Sequence, residues 1–303
     1  MIDGISTFES KFDYTGLGLR LRAYRMGAAL QAEDVAQKLG LSRAVIYRME
    51  KGEIFKIETL ERLAQLFNVS IASLLGVEVE YYANVISFFE RMRQLEVDSK
   101  RIMAHFSPIS LLLSSDQYID YLNNMLQESL PRSLNPESSK SNDYMLEINQ
   151  ALEIIKQRKE FFKQHSPHII SLVGLRDLTQ LIQTGLVGRL DLSLATQSER
   201  IQAARHEVEN IAKLMEQEMM HIQIGLVDDV MPSSNFQIFV GATTSILAVS
   251  SFEFGVLPNI RNGIATITAS PEAVRHYEAM MSRLWNNAEK GKVGAKRLRK
   301  LLA

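Results

Sequence analysis

Basic side chains stand close together in one early segment of the chain, RAVIYRMEKGEIFK. Its cations are Arg43, Arg48, Lys51 and Lys56. An arginine guanidinium can donate two hydrogen bonds to the O6 and N7 atoms of a guanine, and a lysine ammonium can pair with a phosphate. The formal net charge of the 303 residues is −1. Contact with a nucleic acid would therefore come from this local patch and not from the whole surface.

Helical signals surround the patch. Leu17, Leu21 and Tyr24 have helical spacing and predict a first helix that ends near Gly27. The next segment, QAEDVAQKLG, places Val35, Ala36 and Leu39 on one face and ends at Gly40, where a helix stops and the chain needs a positive φ. A tight turn is expected to follow this glycine.

Ser42 is a good N-cap for a second short helix, RAVIYRMEK. Its inward residues are Ile46 and Met49, and its outward residues are Arg43, Ala44, Tyr47 and Arg48. The two helices together make a helix-turn-helix. Further helical residues, up to Gly76, supply the core against which the motif packs: Leu60, Leu63, Ala64, Phe67, Val69, Ile71, Leu74 and Leu75.

The segment QAEDVAQKLGLSRAVIYRMEKGE, with IETLERLAQLFNVSIASLLG after it, resembles the XRE family, which includes the lambda and Cro repressors. The residues at the family's spacing are Arg25, Ala36, Gly40, Ser42, Ile46, Glu50 and Gly52. The resemblance covers residues 17–76 and implies a five-helix DNA-binding domain. The alternative is a small helical domain whose basic face is only solvated. That alternative does not predict that the glycines, the N-cap and the charges occur together.

The resemblance also implies a role for each residue. The second helix would enter the major groove of double-stranded DNA, where Arg43, Ala44, Tyr47 and Arg48 would read base edges. Phosphate contacts would come from Gln31, Ser42, Lys51 and Lys56. The family usually has Thr-Gln at positions 31 and 32, and this chain has Gln31 and Ala32. Arg25 and Glu50 would form a structural charge pair.

The middle of the chain, residues 79–142, is predicted to be a helical connector. An alternating three-and-four spacing there fits either a dimerising seam or packing within the chain, and it is made by Tyr81, Val85, Phe88, Met92, Leu95 and Ile102. We expect a homodimer or higher oligomer because one such module contacts only a short half-site. The run rich in Pro, Ser and Asn at residues 131–143 is the best linker.

Residues 143–303 alternate apolar runs with helical segments, which predicts an α/β domain with a mixed sheet. The predicted strands are HIISLVGL, GRLDLSLA, HIQIGLVD, FQIFVG, SILAVSS and GIATITAS. The layout is loosely similar to the phospholipase-D-like effector domains of some bacterial and archaeal regulators. The predicted fold is thus a multi-domain α and α/β chain, with domains at residues 1–78, 79–142 and 143–303.

The phospholipase D family uses a His-x-Lys-x4-Asp motif, and His221, Gln223 and Asp228 have its spacing with glutamine in place of lysine. We therefore expect no enzyme, with phosphodiester chemistry as the alternative. We prefer the hypothesis that this domain binds a small-molecule effector. The alternative is a DNA-binding scaffold in which this domain only oligomerises. Candidate effector residues are Arg176, Ser250, Ser251, Asn259 and Arg261.

Composition limits the remaining possibilities. The chain is 46% hydrophobic and 23% charged and has no cysteine. With no secretory signal and no apolar run long enough to span a bilayer, it is expected to be cytoplasmic and not membrane-bound. The six histidines have no metal-binding spacing, and neither a metal nor a cofactor is predicted. The basic C-terminal segment from Lys290 to Lys300 fits a solvated helix face or a surface for DNA or a partner.

Overall fold

The computed structural model describes residues 13–53, 56–77, 79–131 and 138–303. The chain divides after Val77 into two compact units, called here the helical unit and the sheet unit. This division lies one residue before the predicted boundary at residue 78. Residues 1–12 and residues 132–137 of the predicted linker at 131–143 lie outside the described residues, and residues 139–143 of that linker are helical.

The helical unit has five helices in its described residues, as predicted. They are α1 (Tyr14–Gly27), α2 (Ala32–Leu39), α3 (Arg43–Glu50), α4 (Ile57–Phe67) and α5 (Ile71–Leu75). Capping side chains start three of them, because Asp13, Ser42 and Ser70 each accept a backbone N–H of the first turn. Left-handed residues end three, at Gly40, Asn68 and Gly76.

Apolar side chains that are shielded from solvent form the core of this unit. Leu17, Leu21, Val35, Ile46 and Leu63 have no exposed surface. They come from α1, α2, α3 and α4, so that one small core fixes the orientation of α3 relative to the other helices.

The sheet unit contains one eight-stranded mixed sheet. Its strands are β1 (Glu80–Tyr82), β2 (Arg101–His105), β3 (His168–Gly174), β4 (Ile222–Val227), β5 (Asn235–Val240), β6 (Ser245–Ser250), β7 (Ala265–Thr268) and β8 (Glu289–Lys290). The order across the sheet is β1-β7-β6-β5-β2-β3-β4-β8. The three strands β2, β3 and β4 are parallel to one another, and every other neighbour pair is antiparallel. The predicted mixed sheet is confirmed.

Seven helices of the described residues accompany the sheet. They are α6 (Val85–Val97), α7 (Gln117–Glu128), α8 (Ser139–His165), α9 (Leu175–Thr184), α10 (Leu194–Gln217), α11 (Pro271–Asn287) and α12 (Gly291–Leu302). One apolar cluster joins α11 to the sheet, through Val274, Met281 and Leu284 against Phe236 and Ile238. α6 packs against α8, and α10 against α12.

The segment 79–142 differs from the predicted helical connector. It supplies β1 and β2 to the same sheet as the later strands, and β2 lies between β3 and β5 in the middle of that sheet. The predicted three-and-four spacing is helical only within α6, where Val85, Phe88 and Met92 are buried in the unit. The apolar side chains at this spacing therefore pack within the chain, which was one of the two expected outcomes.

One predicted strand, GRLDLSLA at residues 188–195, is wrong. The segment is irregular up to Ser193, and α10 begins at Leu194. Leu190 and Leu194 are 61% and 85% exposed, so the alternating leucines do not face a core. Arg189 pairs with Asp191 at 2.5 Å, a contact local to the segment.

Candidate functional site

The turn between α2 and α3 is built by three residues. Gly40 has a φ of +66°, which ends α2 without strain. The Leu41 N–H then donates to Ala36 O at 2.8 Å, and Ser42 Oγ accepts the Val45 N–H at 3.3 Å. The turn is therefore held at both ends by hydrogen bonds, and α3 begins at a fixed angle to α2.

α3 has a buried face and an exposed face. Ile46 and Met49 are 0% and 2% exposed and fix the helix to the core. The predicted base-reading residues Arg43, Ala44, Tyr47 and Arg48 are all on the exposed face. The structure therefore brings these four together on one surface, with one methyl group, one phenol and two guanidinium groups.

Arg43 is held by two neighbours in the described structure. Its Nη1 lies 2.6 Å from Glu33 Oε1, and its Nη2 donates to the Tyr47 hydroxyl at 3.0 Å. The guanidinium also lies over the Tyr47 ring, 5.2 Å from its centroid. The Tyr47 hydrogen bond and the Glu33 charge together raise the pKa of Arg43, so the group is fully charged.

Arg48 makes a simpler contact. Its Nε lies 3.0 Å from Glu53 Oε2, just beyond the end of α3. Both partners are about half exposed, at 54% and 47%, so the pair contributes little to stability.

The four predicted phosphate-contacting residues are all exposed. Gln31 precedes α2 and donates its backbone N–H to Asp34 Oδ2 at 2.7 Å. Ser42 and Lys51 lie at the two ends of α3, and Lys56 precedes α4. In the sequence, one of the four lies before α3, two lie at its ends and one follows it. Contacts to a DNA backbone would be made from these positions.

Arg25 and Glu50 form the charge pair that the sequence suggests. Arg25 Nε and Nη2 donate to the two Glu50 carboxylate oxygens at 2.5 and 3.2 Å, and Nη1 donates to Leu30 O at 2.9 Å. Both side chains are nearly buried, at 10% and 6% exposed. This bidentate pair connects α1 to the end of α3.

Sequence reasoning missed a second structural arginine, Arg20. Its Nε donates to Leu74 O at 2.9 Å and its Nη2 to Leu75 O at 2.7 Å, so it satisfies the last carbonyls of α5. The signal was present, because Arg20 interrupts the apolar face made by Leu17, Leu21 and Tyr24. A buried cation on such a face requires acceptors nearby.

In the sheet unit, a cleft of about 610 Å³ opens at the carboxyl ends of the parallel strands. Ser107 follows β2, Arg176 and Asp177 begin α9 directly after β3, and Asp228 follows β4. Ser107 connects the end of β2 to β5 and α9. It donates its N–H to Asn235 Oδ1 at 2.8 Å and its hydroxyl to Asp177 Oδ2 at 3.0 Å. This edge is where open α/β sheets bind ligands.

His105, the last residue of β2, is almost fully buried, and its ring centroid lies 6.0 Å from that of Phe236. Burial lowers the pKa of His105, although the charge of Asp177 opposes the shift. The imidazole is therefore neutral at physiological pH.

Of the five candidate effector residues, Arg176 lines this cleft and the other four do not. Ser250 is buried and accepts the Phe252 N–H, and Ser251 Oγ accepts the Ile264 N–H. Asn259 forms a local turn with the backbone of Arg261 and Asn262. The Arg261 guanidinium donates to Ser129 O and lies over the Tyr144 ring.

The structure separates two of the motif-like residues. His221 and Asp228 flank β4, so seven steps of about 3.3 Å put them about 23 Å apart. Asp228 pairs with Arg297 of α12.

The basic C-terminal helix is partly neutralised by acidic neighbours. Arg297 pairs with Asp228 and Glu289, and Arg299 pairs with Glu209 and Glu216. These contacts fix α12 to the rest of the sheet unit.

Within the described ranges, no three histidine or acidic side chains are grouped closely enough to hold a metal ion. No helix in the part of the chain that the structure describes is long and apolar enough to cross a membrane.

A protein-family model described as a helix-turn-helix domain matches residues 17–75. The helical unit is therefore a helix-turn-helix DNA-binding domain. Among solved structures, the chain is similar to the apo form of the competence regulator ComR from Streptococcus vestibularis, with 17% sequence identity and a TM-score of 0.19. That match covers 66% of this chain and 50% of the other. No curated protein matches the sequence.

Proposed function

We propose that this protein is a cytoplasmic, sequence-specific regulator of transcription that reads double-stranded DNA with α3 in the major groove. The observation that carries the proposal is the exposed face of α3, with Arg43, Tyr47 and Arg48 on a helix held to the core by Ile46 and Met49. A helix of this kind, rigidly oriented after a tight turn, suits the width of the major groove.

The DNA contacts in this proposal divide between base edges and phosphates. Arg43 and Arg48 donate to base edges, with guanine O6 and N7 as the preferred acceptors, and Ala44 contacts a thymine methyl group. Lys51 and Lys56 pair with phosphates. Gln31 and Ser42 donate to phosphates near the N-termini of α2 and α3, where the helix dipole favours an anion.

We propose that the regulator acts as a homodimer. One helix-turn-helix reads only a short half-site, and two copies bound about one helical turn apart, 10–10.5 base pairs, gain both affinity and specificity. Footprinting with purified protein tests this arrangement. Two protected half-sites at that spacing support the dimer, and one protected half-site that saturates with a single chain contradicts it.

We further propose that the sheet unit binds a small-molecule effector in the cleft at the carboxyl ends of β2, β3 and β4. Arg176 is exposed there at the start of α9, and the walls offer both hydrogen-bond donors and acceptors. Thermal-shift screening of cytoplasmic metabolites, with Arg176→Ala beside wild type, tests this site. A ligand whose shift is lost in the variant supports it, whereas a complete blank favours a DNA-binding scaffold that only oligomerises.

The direct test of the main proposal compares wild type with Arg43→Ala on a selected operator and on random DNA. Loss confined to the operator supports base reading by α3. Equal loss on both DNAs would mean that Arg43 contacts only phosphates.

A further inference from the structure

The Arg43 guanidinium has a defined orientation although it is on the surface. Three contacts fix it: the 2.6 Å ion pair with Glu33, the 3.0 Å hydrogen bond to the Tyr47 hydroxyl and the 5.2 Å approach to the Tyr47 ring. Glu33 belongs to α2, and Tyr47 lies one turn along α3. The two anchors therefore come from both helices of the helix-turn-helix.

This arrangement leaves hydrogen-bonding capacity for a base. A guanidinium has five N–H groups, two on each terminal nitrogen and one on Nε. Glu33 and Tyr47 each engage one terminal nitrogen, so each of these nitrogens keeps a second N–H. A guanine edge takes two such donors in parallel, which requires the guanidinium plane to be set correctly.

Glu33 is not an inert surface charge in this setting. Its carboxylate is about half exposed, at 52%, and lies within contact distance of the first residue of α3. A carboxylate beside a base-reading arginine repels DNA phosphates, which weakens binding to every sequence alike. Tyr47 alone would hold the ring contact but would leave one side of the guanidinium without an anchor.

We propose that Glu33 is a positioning residue for base reading, which holds the Arg43 guanidinium in the orientation that bonds a guanine edge. This role rests on the proposed function, because it needs Arg43 to read a base. Glu33 itself does not contact the base. It reduces the freedom that Arg43 loses on binding and so favours the operator over random DNA.

Two substitutions separate contact from charge. Glu33→Gln keeps the length of the side chain and removes its charge, and Glu33→Asp keeps the charge and shortens the reach. The readout is discrimination at the base pair that Arg43→Ala identifies, measured with the full chain as the ratio of Kd values for the operator and its single-base variant. Thermal melting of each variant checks that the helical unit stays folded.

We expect both substitutions to lower this ratio by about two- to fivefold, which is the range that an exposed ion pair can supply. In an Arg43→Ala background, neither substitution should change the ratio, because the group that Glu33 positions is gone. Glu33→Gln should in addition bind random DNA more tightly, whereas Glu33→Asp should not.

Three results would overturn the role. The ratio could stay unchanged in both variants, it could fall only in Glu33→Gln, which would assign the effect to charge alone, or it could fall equally without Arg43. A wild-type chain with no operator preference would overturn the proposed function together with this role. A preference that survives both Glu33 substitutions overturns this role only.

Discussion

Glu50→Ala removes the carboxylate that the buried Arg25 guanidinium requires. Arg25 would keep only its 2.9 Å hydrogen bond to Leu30 O, while two N–H groups that donate to Glu50 would lose their acceptors. Removing one partner of a buried pair costs about 3–5 kcal/mol. Both side chains are far less than a third exposed, so solvent screening does not reduce this figure much.

The cost is large relative to the whole helical unit. A domain of this size is stable by roughly 3–10 kcal/mol, at 0.05–0.15 kcal/mol per residue. Glu50→Ala should therefore leave the unit marginal or unfolded at 25 °C and abolish specific DNA binding, although Glu50 does not face DNA. Hydrogen exchange on the full chain, followed separately in peptides of the two units, measures the loss.

Glu53→Ala is the matched control. It removes a carboxylate that lies 3.0 Å from an arginine. Arg48 and Glu53 are about half exposed, however, so their pair stabilises the unit by about 1 kcal/mol or less. We expect protection of α1 and α3 to collapse in Glu50→Ala and to persist in Glu53→Ala. Equal protection in the two variants would refute the structural role of the buried pair.

Further predictions concern both units. Arg43→Ala should weaken operator binding by about 1–3 kcal/mol and relax one base position, whereas Lys51→Ala should weaken binding to all sequences and lower the salt slope by about 1, as measured by titration at several salt concentrations. Gly18→Ala should destabilise the helical unit by about 1–3 kcal/mol in thermal melting, because the added Cβ would lie 2.5 Å from Glu50 O. Burial lowers the pKa of Lys159 from 10.5 to about 8, so the unfolded chain holds this proton between those pH values and the folded chain does not. The free energy of unfolding should therefore rise by about 3 kcal/mol as pH increases through that window, and urea titrations should show no such rise in Lys159→Met.

The helical unit was predictable because its signals are local. Gly40, Ser42 and the apolar spacing of α2 and α3 each act within a few residues, so they determine the turn without information from the rest of the chain. Arg20 was missed because its acceptors, the Leu74 and Leu75 carbonyls, lie more than fifty residues away, at separations of 54 and 55.

The sheet unit was less predictable because its pairing is distant. β2 has only five residues and continues an apolar pattern that predicts a helix. Its partners β3 and β5 both come from the second half of the chain. A strand of that length is recognised by its neighbours and not by its own sequence. Polar residues near strand ends were also ambiguous, since Ser250 and Asn259 bond locally and only Arg176 reaches the cleft.

The central claim is that the exposed face of α3 reads a DNA sequence. Selection of genomic fragments by the purified full chain, followed by Kd measurements on the selected and random sequences at one salt concentration, tests it most directly. We predict a shared sequence motif, bound at least about 10³-fold more tightly than random DNA by wild type and much less selectively by Arg43→Ala. Fragments without a common motif, bound as tightly as random DNA, would contradict the account.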